Sequence, residues 1–302
     1  MTVPDISLDL RFLKYALLVA EHGSFRRAAD RHNLSQSTLS RRVQLLERRL
    51  GVELFERTRT GTKPTAVGER FMRQAAVGAE HLRDAINEMR QVQRGEWGEL
   101  KIGLVASLAQ GMLGDILEAY RCRFPKVDVK LEEASSQANA ASVLNGRIDV
   151  AFIPGEPRLS GCEVRPMWKE ELFVAVPTHH RLSKRETLSW EELRDEIFLV
   201  THDVHGPEAE GIIARKVSGL GFQPRISVQR LGRENLINMV GRGYGVTLAA
   251  SSTLGAAYSG VTFLPIGGGD ERISWSAVWT IGNQSPVLKQ LLNVGATVVN
   301  RR

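Results

Sequence analysis

Cysteine is almost absent from this chain of 302 residues. It has only Cys122 and Cys162, with no CxxC pair and no Cys/His spacing that would hold a metal. That excludes a disulfide-built or zinc-built domain. Two isolated thiols read as packing residues, with a thiol-based redox sensor as the alternative. Long apolar runs are also lacking, since stretches such as YALLVA (residues 15–20) fall far short of the roughly 20 residues a membrane span needs. No charged-then-apolar leader opens the sequence, so a cytoplasmic protein with no membrane partner is expected. Catalytic signatures are missing as well. There is no GxSxG elbow, no P-loop and no HExxH, and the carboxylates show no paired arrangement, which leaves an enzyme with an appended DNA anchor only as a competing reading. His202 and His205 form an HxxH without a third ligand nearby, so no metal is expected. Gly241, Gly243 and Gly245 follow a helix and precede a strand, the reverse of what a dinucleotide fingerprint requires.

What is present is a chain of ordinary globular composition, 42% hydrophobic and 25% charged, with room for two or three domains. The net charge of +6 is unevenly placed. Residues 1–94 carry 17 Lys and Arg against 11 Asp and Glu, whereas residues 95–302 carry 23 of each. The excess therefore lies in the N-terminal third, as expected if that third alone meets a phosphate backbone. A membrane-surface role would need a basic amphipathic helix with exposed aromatics, and none is found.

The stretch from Gly23 to Arg57 reads as two short helices joined by a tight turn. Ser24 and Ser35 are helix-capping types directly before FRRAADRH and QSTLSRRVQLLERRL, although neither helix has the Glu or Gln that would complete a capping box. In the second helix Leu39, Val43, Leu46 and Leu50 make an apolar stripe, and the other face is assigned Gln36, Ser37, Thr38, Ser40, Arg41 and Arg42. Such a helix suits the DNA major groove, about 12 Å wide, whose base edges its amides, hydroxyls and guanidinium groups match. A plain amphipathic hairpin with a solvated basic face is the alternative. A helix over Leu8–Glu21, apolar at Leu10, Leu13, Leu17 and Leu18, would pack beneath. Residues 52–66 read as a hairpin wing around Gly61, with Arg57, Arg59 and Lys63 placed for phosphates.

A long helix is expected over Ala66–Arg94. Phe71, Ala75, Gly78, Leu82, Ala85, Met89 and Val92 repeat at heptad spacing, an apolar stripe that needs a partner: a second copy, or the C-terminal domain. Residues 93–99 then break the pattern. From Leu100 short apolar strands alternate with helices, which predicts a parallel α/β sheet. Strands are read at 100–106, 127–134, 148–154, 171–177, 197–201, 225–229, 246–250 and 273–281. Helices are read over Leu108–Arg123, Asn139–Asn145, Glu208–Leu220, Arg233–Gly241 and Pro286–Val299. Small molecules bind beyond the carboxyl ends of such strands. This selects Ser107, Leu108, Ser135, Ser136, Pro154, Thr201 and His202, with Tyr244 lining the other side. Ser107, Ser136 and Thr201 read equally well as helix caps.

The wording also resembles a family. Ala28-Ala29, Ser35-Gln36, Leu46-Glu47, Leu50-Gly51 and Leu54-Phe55-Glu56-Arg57 are similar to the pattern of LysR-type transcriptional regulators, with Pro64-Thr65 where the family usually has Leu-Thr. The resemblance is specific over residues 8–70 and consistent in layout beyond. It implies an α+β multidomain protein: a winged helix-turn-helix (residues 1–65), a linker helix that dimerises (66–95), and a two-lobed α/β domain like the periplasmic binding proteins (96–302). Lobe one would take 100–164 and 270–302, and lobe two 165–269, with crossings near Arg165–Trp168 and Gly267–Arg272. The partners implied are double-stranded DNA, a second copy with a tetramer beyond it, a small-molecule effector instead of a cofactor, and RNA polymerase as a further candidate. The family's peroxide-sensing members hold their cysteine pair in the second lobe, unlike Cys122 and Cys162.

Overall fold

The structure is a computed structural model that describes residues 10–58, 61–105, 108, 111–202 and 204–301. The chain divides into two compact units, Met1–Arg90 and Gln91–Arg302.

In the first unit α1 (Leu10–His22), α2 (Phe25–Arg31) and α3 (Gln36–Leu50) pack on one core, followed by the antiparallel hairpin of β1 (Phe55–Thr58) and β2 (Gly61–Pro64) and then by α4 (Ala66–Arg94). Both serine caps form: Ser24 Oγ accepts from the Arg27 N–H at 3.4 Å and Ser35 Oγ from the Thr38 N–H at 3.1 Å. The core face of α1 differs from the expected leucine stripe. Leu13, Ala16 and Val19 are buried, while Leu17 and Leu18 are half-buried; positions 8 and 9 and the Leu10 side chain lie outside the described ones. Glu47 ties helix to wing, because its Oε1 accepts from the Leu54 and Phe55 N–H groups at 2.8 and 3.1 Å. Thr65 starts α4, accepting from the Gly68 N–H at 2.9 Å while donating to the Glu53 carbonyl at 2.8 Å. Gly68 must be glycine, since a Cβ there would lie 2.0 Å from the Leu54 carbonyl oxygen.

The second unit opens with β3 (Trp97–Leu104), α5 (Met112–Arg123), β4 (Lys126–Glu133), α6 (Ser136–Leu144) and β5 (Val150–Pro154). The long β6 (Cys162–Pro177) follows, then α7 (Trp190–Leu193), β7 (Ile197–Thr201), α8 (Gly206–Gly219), β8 (Arg225–Gln229) and α9 (Arg233–Gly241). β9 (Thr247–Ala250), β10 (Val261–Pro265), β11 (Arg272–Thr280) and α10 (Pro286–Val299) complete it. The main sheet runs β10-β6-β11-β5-β3-β4 with β9 also on β6, and β7 pairs with β8.

The expected parallel sheet is in fact mixed. β3 pairs in parallel with β4 and β5, as does β7 with β8, but every pairing of β6 and β11 is antiparallel. β10 was not expected, and the strand expected from residue 171 begins at Cys162. The helix expected from Leu108 starts only at Met112. Each lobe has its own apolar core, one built on Leu100, Ile102, Tyr120, Phe152 and Leu291, the other on Val174, Leu188, Phe198 and Ile213. Along β6 the core changes between Trp168 and Leu172, close to the predicted crossing.

Candidate nucleic-acid interface and ligand cleft

With Leu39, Val43 and Leu46 buried, the 100° step of an α-helix turns Ser37, Arg41, Gln44 and Arg48 directly outward, and all four are exposed. Gln36 is exposed in the first turn, and Ser35, also exposed, caps that turn while donating to Thr38 Oγ1 at 2.7 Å. Thr38 and Ser40 are half-buried on the flanks. Arg42 is a correction to the expected outward face. Its guanidinium carbon lies 4.6 Å from the Tyr15 ring centroid and it donates to the Tyr15 hydroxyl, so it braces α3 against α1. Gln44 and Arg48, which the sequence reading missed, continue the Ser37/Arg41 stripe at helical spacing. On the wing, Lys63 is exposed opposite Glu56. Arg57 lies in β1 opposite Thr62, but its side chain, like all of Arg59, lies outside the described residues.

Beside this surface α1 and α4 border an apolar groove lined by Leu13, Leu17, Leu18, Phe71, Ala75, Gly78, Leu82 and Ile86. The expected heptad seam holds through Leu82 and then turns away. Ala85, Met89 and Val92 do not line the groove and Ile86 does, because a straight α-helix drifts about 20° per heptad from a strict seven-residue repeat. Leu82 and Ile86 are 49% and 39% exposed, so this unit by itself leaves the stripe open to solvent.

In the second unit a mostly apolar cavity lies between the lobes. Val105, Pro154, Ile273 and Trp275 bound it from the first-lobe side, and Val200, Thr201, Ile212, Leu236 and Leu248 from the second. Its polar lining is His205, Glu208, Arg233, Thr247 and Ser252, with Thr201. Beside the cavity, contacts pass from lobe to lobe: Glu208 Oε1 accepts from the Ser136 N–H at 3.0 Å, and His205 Nε2 lies 3.2 Å from Glu133 Oε1. Burial holds the His205 imidazole below its usual range, with Glu133 opposing, and the hydrogen bond from His205 holds the Glu133 carboxyl low. Burial pushes the Arg233 guanidinium down from its usual range, with the Glu170 and Glu133 carboxylates opposing, and it donates to Thr253 Oγ1. Gly206 lets α8 begin hard against β7, since a Cβ there would fall 1.6 Å from the Thr201 carbonyl oxygen.

Of the residues expected at a ligand site, Pro154 and Thr201 line the cavity and Ser136 reaches it through Glu208. Ser135 caps α6 instead, accepting from the Ala138 N–H at 3.3 Å. Leu108 is exposed and does not line the cavity, and Ser107 lies outside the described residues. His202 is exposed and absent from the lining, and its neighbour His205 takes that place. Tyr244 is 61% exposed and borders a separate depression with His179, Glu196 and Arg225. Glu208, Arg233, Ser252 and Trp275 were not anticipated. For Arg233 and Ser252 a signal existed: they follow the ends of β8 and β9, as Thr201 ends β7. No cluster of three or more metal-binding side chains occurs among the described residues. Both cysteines are free, and burial pushes the Cys162 thiol up, away from the thiolate a redox sensor needs.

Residues 10–69 match the family described as bacterial regulatory helix-turn-helix protein, lysR family, and residues 93–297 match the LysR substrate binding domain. The HTH-type transcriptional regulator AlsR of Bacillus subtilis (strain 168) is 28% identical over 291 residues, 95% of each chain. The crystal structure of CbnR, a LysR family transcriptional regulator, matches with a TM-score of 0.82 at 25% identity, covering 95% of this chain and 100% of that one. Full-length CbnR complexed with its target DNA matches at 0.78 and 26% identity, covering 97% and 100%. With a capped helix-turn-helix and wing at one end and a two-lobed ligand-binding fold at the other, the chain belongs to the LysR family of DNA-binding transcriptional regulators.

Proposed function

We propose that α3 is the recognition helix. Gln36, Ser37 and Arg41 read base edges, with Gln44 and Arg48 continuing their stripe, and Lys63, Arg57 and Arg59 hold phosphates. The burial of Leu39, Val43 and Leu46 beneath an exposed Ser37/Arg41 stripe carries this reading. The match to a structure of CbnR on its target DNA supports it. Arg42 acts as a brace for α3 and touches no base. A second copy covers the α1–α4 groove. Two recognition helices then meet half-sites about 34–36 Å apart, or a multiple of that, and two such dimers make the tetramer. The interlobe cavity takes a small-molecule effector and no cofactor. Differential affinity of the effector for open and closed lobes shifts the DNA-bound state, with RNA polymerase the downstream partner. The protein acts in the cytoplasm, where its operator would lie, and performs no catalysis.

The test is a binding assay on operator sequences selected by the protein itself. Arg41→Ala should cost about 1–3 kcal/mol and relax preference at one position, whereas Lys63→Ala should weaken all sequences alike and flatten the salt slope. Unaltered affinity and selectivity in a folded Arg41→Ala would overturn the placement of α3.

A further inference from the structure

Accepting that the cavity is the effector site, its chemistry narrows the class of molecule it takes. The N-terminus of α6, nine residues long, is the feature of lobe one best suited to an anion, because its free N–H groups carry partial positive charge. The protein's own carboxylate already occupies that position: Glu208 reaches across from α8 to accept from the Ser136 N–H at 3.0 Å. The other carboxylate oxygen of Glu208, Oε2, is buried and finds no hydrogen-bond partner. No ion pair to a lysine or arginine is formed by Glu208 among the described residues, whereas Arg233 lies within the electrostatic reach of Glu170 and Glu133. Glu170 and Glu133 thus already oppose the Arg233 guanidinium, Glu208 adds a further carboxylate on the cavity lining, and burial disfavours charging of the His205 imidazole.

Two further groups on the cavity wall are unpartnered. Trp275 is 4% exposed and its Nε1–H, a pure donor, has no acceptor; Ser252 is 2% exposed and its Oγ has no partner. Their surroundings are fixed. The Trp168 Nε1–H donates to Glu170 Oε1 at 2.9 Å, and Glu170 Oε2 accepts from the Ser252 N–H at 3.2 Å, so Glu170 cannot turn to serve Trp275 without breaking bonds. A buried carboxylate oxygen calls for a strong, preferably charged donor, and an indole N–H calls for an acceptor.

We propose that the effector is a small organic amine with an apolar body and one acceptor oxygen. Its ammonium donates to Glu208 Oε2, its oxygen accepts from Trp275 Nε1 and pairs with Ser252 Oγ, and its body lies against Val105, Ile212 and Leu236. A carboxylate effector is disfavoured because it would face Glu208 in the position Glu208 already fills.

The test uses the full chain and two probes that share one body and one hydroxyl, 2-amino-1-phenylethanol and mandelate, with titration calorimetry as the readout. The amino alcohol should bind wild type at least tenfold tighter than mandelate, and Glu208→Gln should abolish that preference. Mandelate binding the tighter, neither probe binding, or a preference unchanged in Glu208→Gln would overturn the proposal. Ile212→Trp, which fills the cavity, separates this from the broader reading. If it abolishes the binding of whichever probe binds wild type, the cavity is the site and only the chemistry is on trial. If that binding survives Ile212→Trp, the cavity itself is the wrong place and the proposal falls with it.

Discussion

Glu47 offers the sharpest check on how sequence becomes geometry in the DNA-binding unit. Its carboxylate oxygen receives two backbone N–H groups, Leu54 at 2.8 Å and Phe55 at 3.1 Å, where the chain turns from α3 into the wing. Hydrogen bonds to charged groups contribute about 1.5–3 kcal/mol each when buried; with Glu47 half-buried the pair together stabilises this turn by about 2 kcal/mol. Glu47→Ala leaves both N–H groups without their acceptor. Glu47→Gln keeps a neutral carbonyl oxygen in place and should lose about 1 kcal/mol. Because about 1.4 kcal/mol is a factor of ten, amide hydrogen exchange at Leu54 and Phe55 should speed up about 30-fold in the alanine variant and about 5-fold in the glutamine variant. Amides of Val43 and Leu46, inside α3, should change far less. If Leu54 and Phe55 exchange within twofold of wild type in Glu47→Ala, the bond network does not hold the wing and the reasoning fails.

Three other outcomes follow from packing and ionisation. Burial raises the Tyr120 phenol to about 12 from 10.0, so the neutral form is favoured on folding. The stability this confers is fully present below pH 10, erodes as pH climbs towards 12, and shows in a pH titration of absorbance as one late-ionising tyrosine of the four. Tyr120→Phe also removes the 3.0 Å bond to the Val287 carbonyl and should cost about 1 kcal/mol in urea unfolding. Gly206→Ala forces a Cβ to 1.6 Å from the Thr201 carbonyl oxygen and should destabilise the second unit by more than about 3 kcal/mol, seen as a lowered melting temperature. Leu82→Asp places a charge in the α1–α4 groove and should yield monomers by light scattering with operator affinity lost; an unchanged oligomer would count against the groove as the self-association surface.

The helices were the more legible half of this fold. Ser24 and Ser35 announce their caps, and the predicted bounds of α4, α9 and α10 coincide with the observed ones because each helix begins and ends at a change in composition. The strands misled in two ways. Direction leaves no periodic trace, so the antiparallel pairings of β6 and β11 were read as parallel. The first half of β6, CEVRPMWKE, interleaves charges and a proline; it is a strand because β11 pairs along it, with an irregularity between Trp275 and Ser276 near Pro166. For the cleft, the strand-end rule found Pro154 and Thr201 but not Glu208. In the sequence Glu208 is an acidic residue in a helix's first turn, matched to the dipole; only the meeting of α8 with α6 shows where it reaches. Trp275, in mid-strand, gave no sign that it would line a cavity with its indole N–H unpartnered.

The course of β6 through both lobes, paired with β11 in the first and with β9 and β10 in the second, has a consequence for motion. A hinge made of two loops can swing freely, but here the lobes share one continuous ribbon of paired backbone, so any change in their angle must be absorbed as torsion along it. The ladder is already interrupted between Trp275 and Ser276, where a twist disturbs the fewest bonds. Trp275 is also a wall of the cavity. A group bound against that indole would therefore bear directly on the point where the ladder is irregular, with no intervening relay.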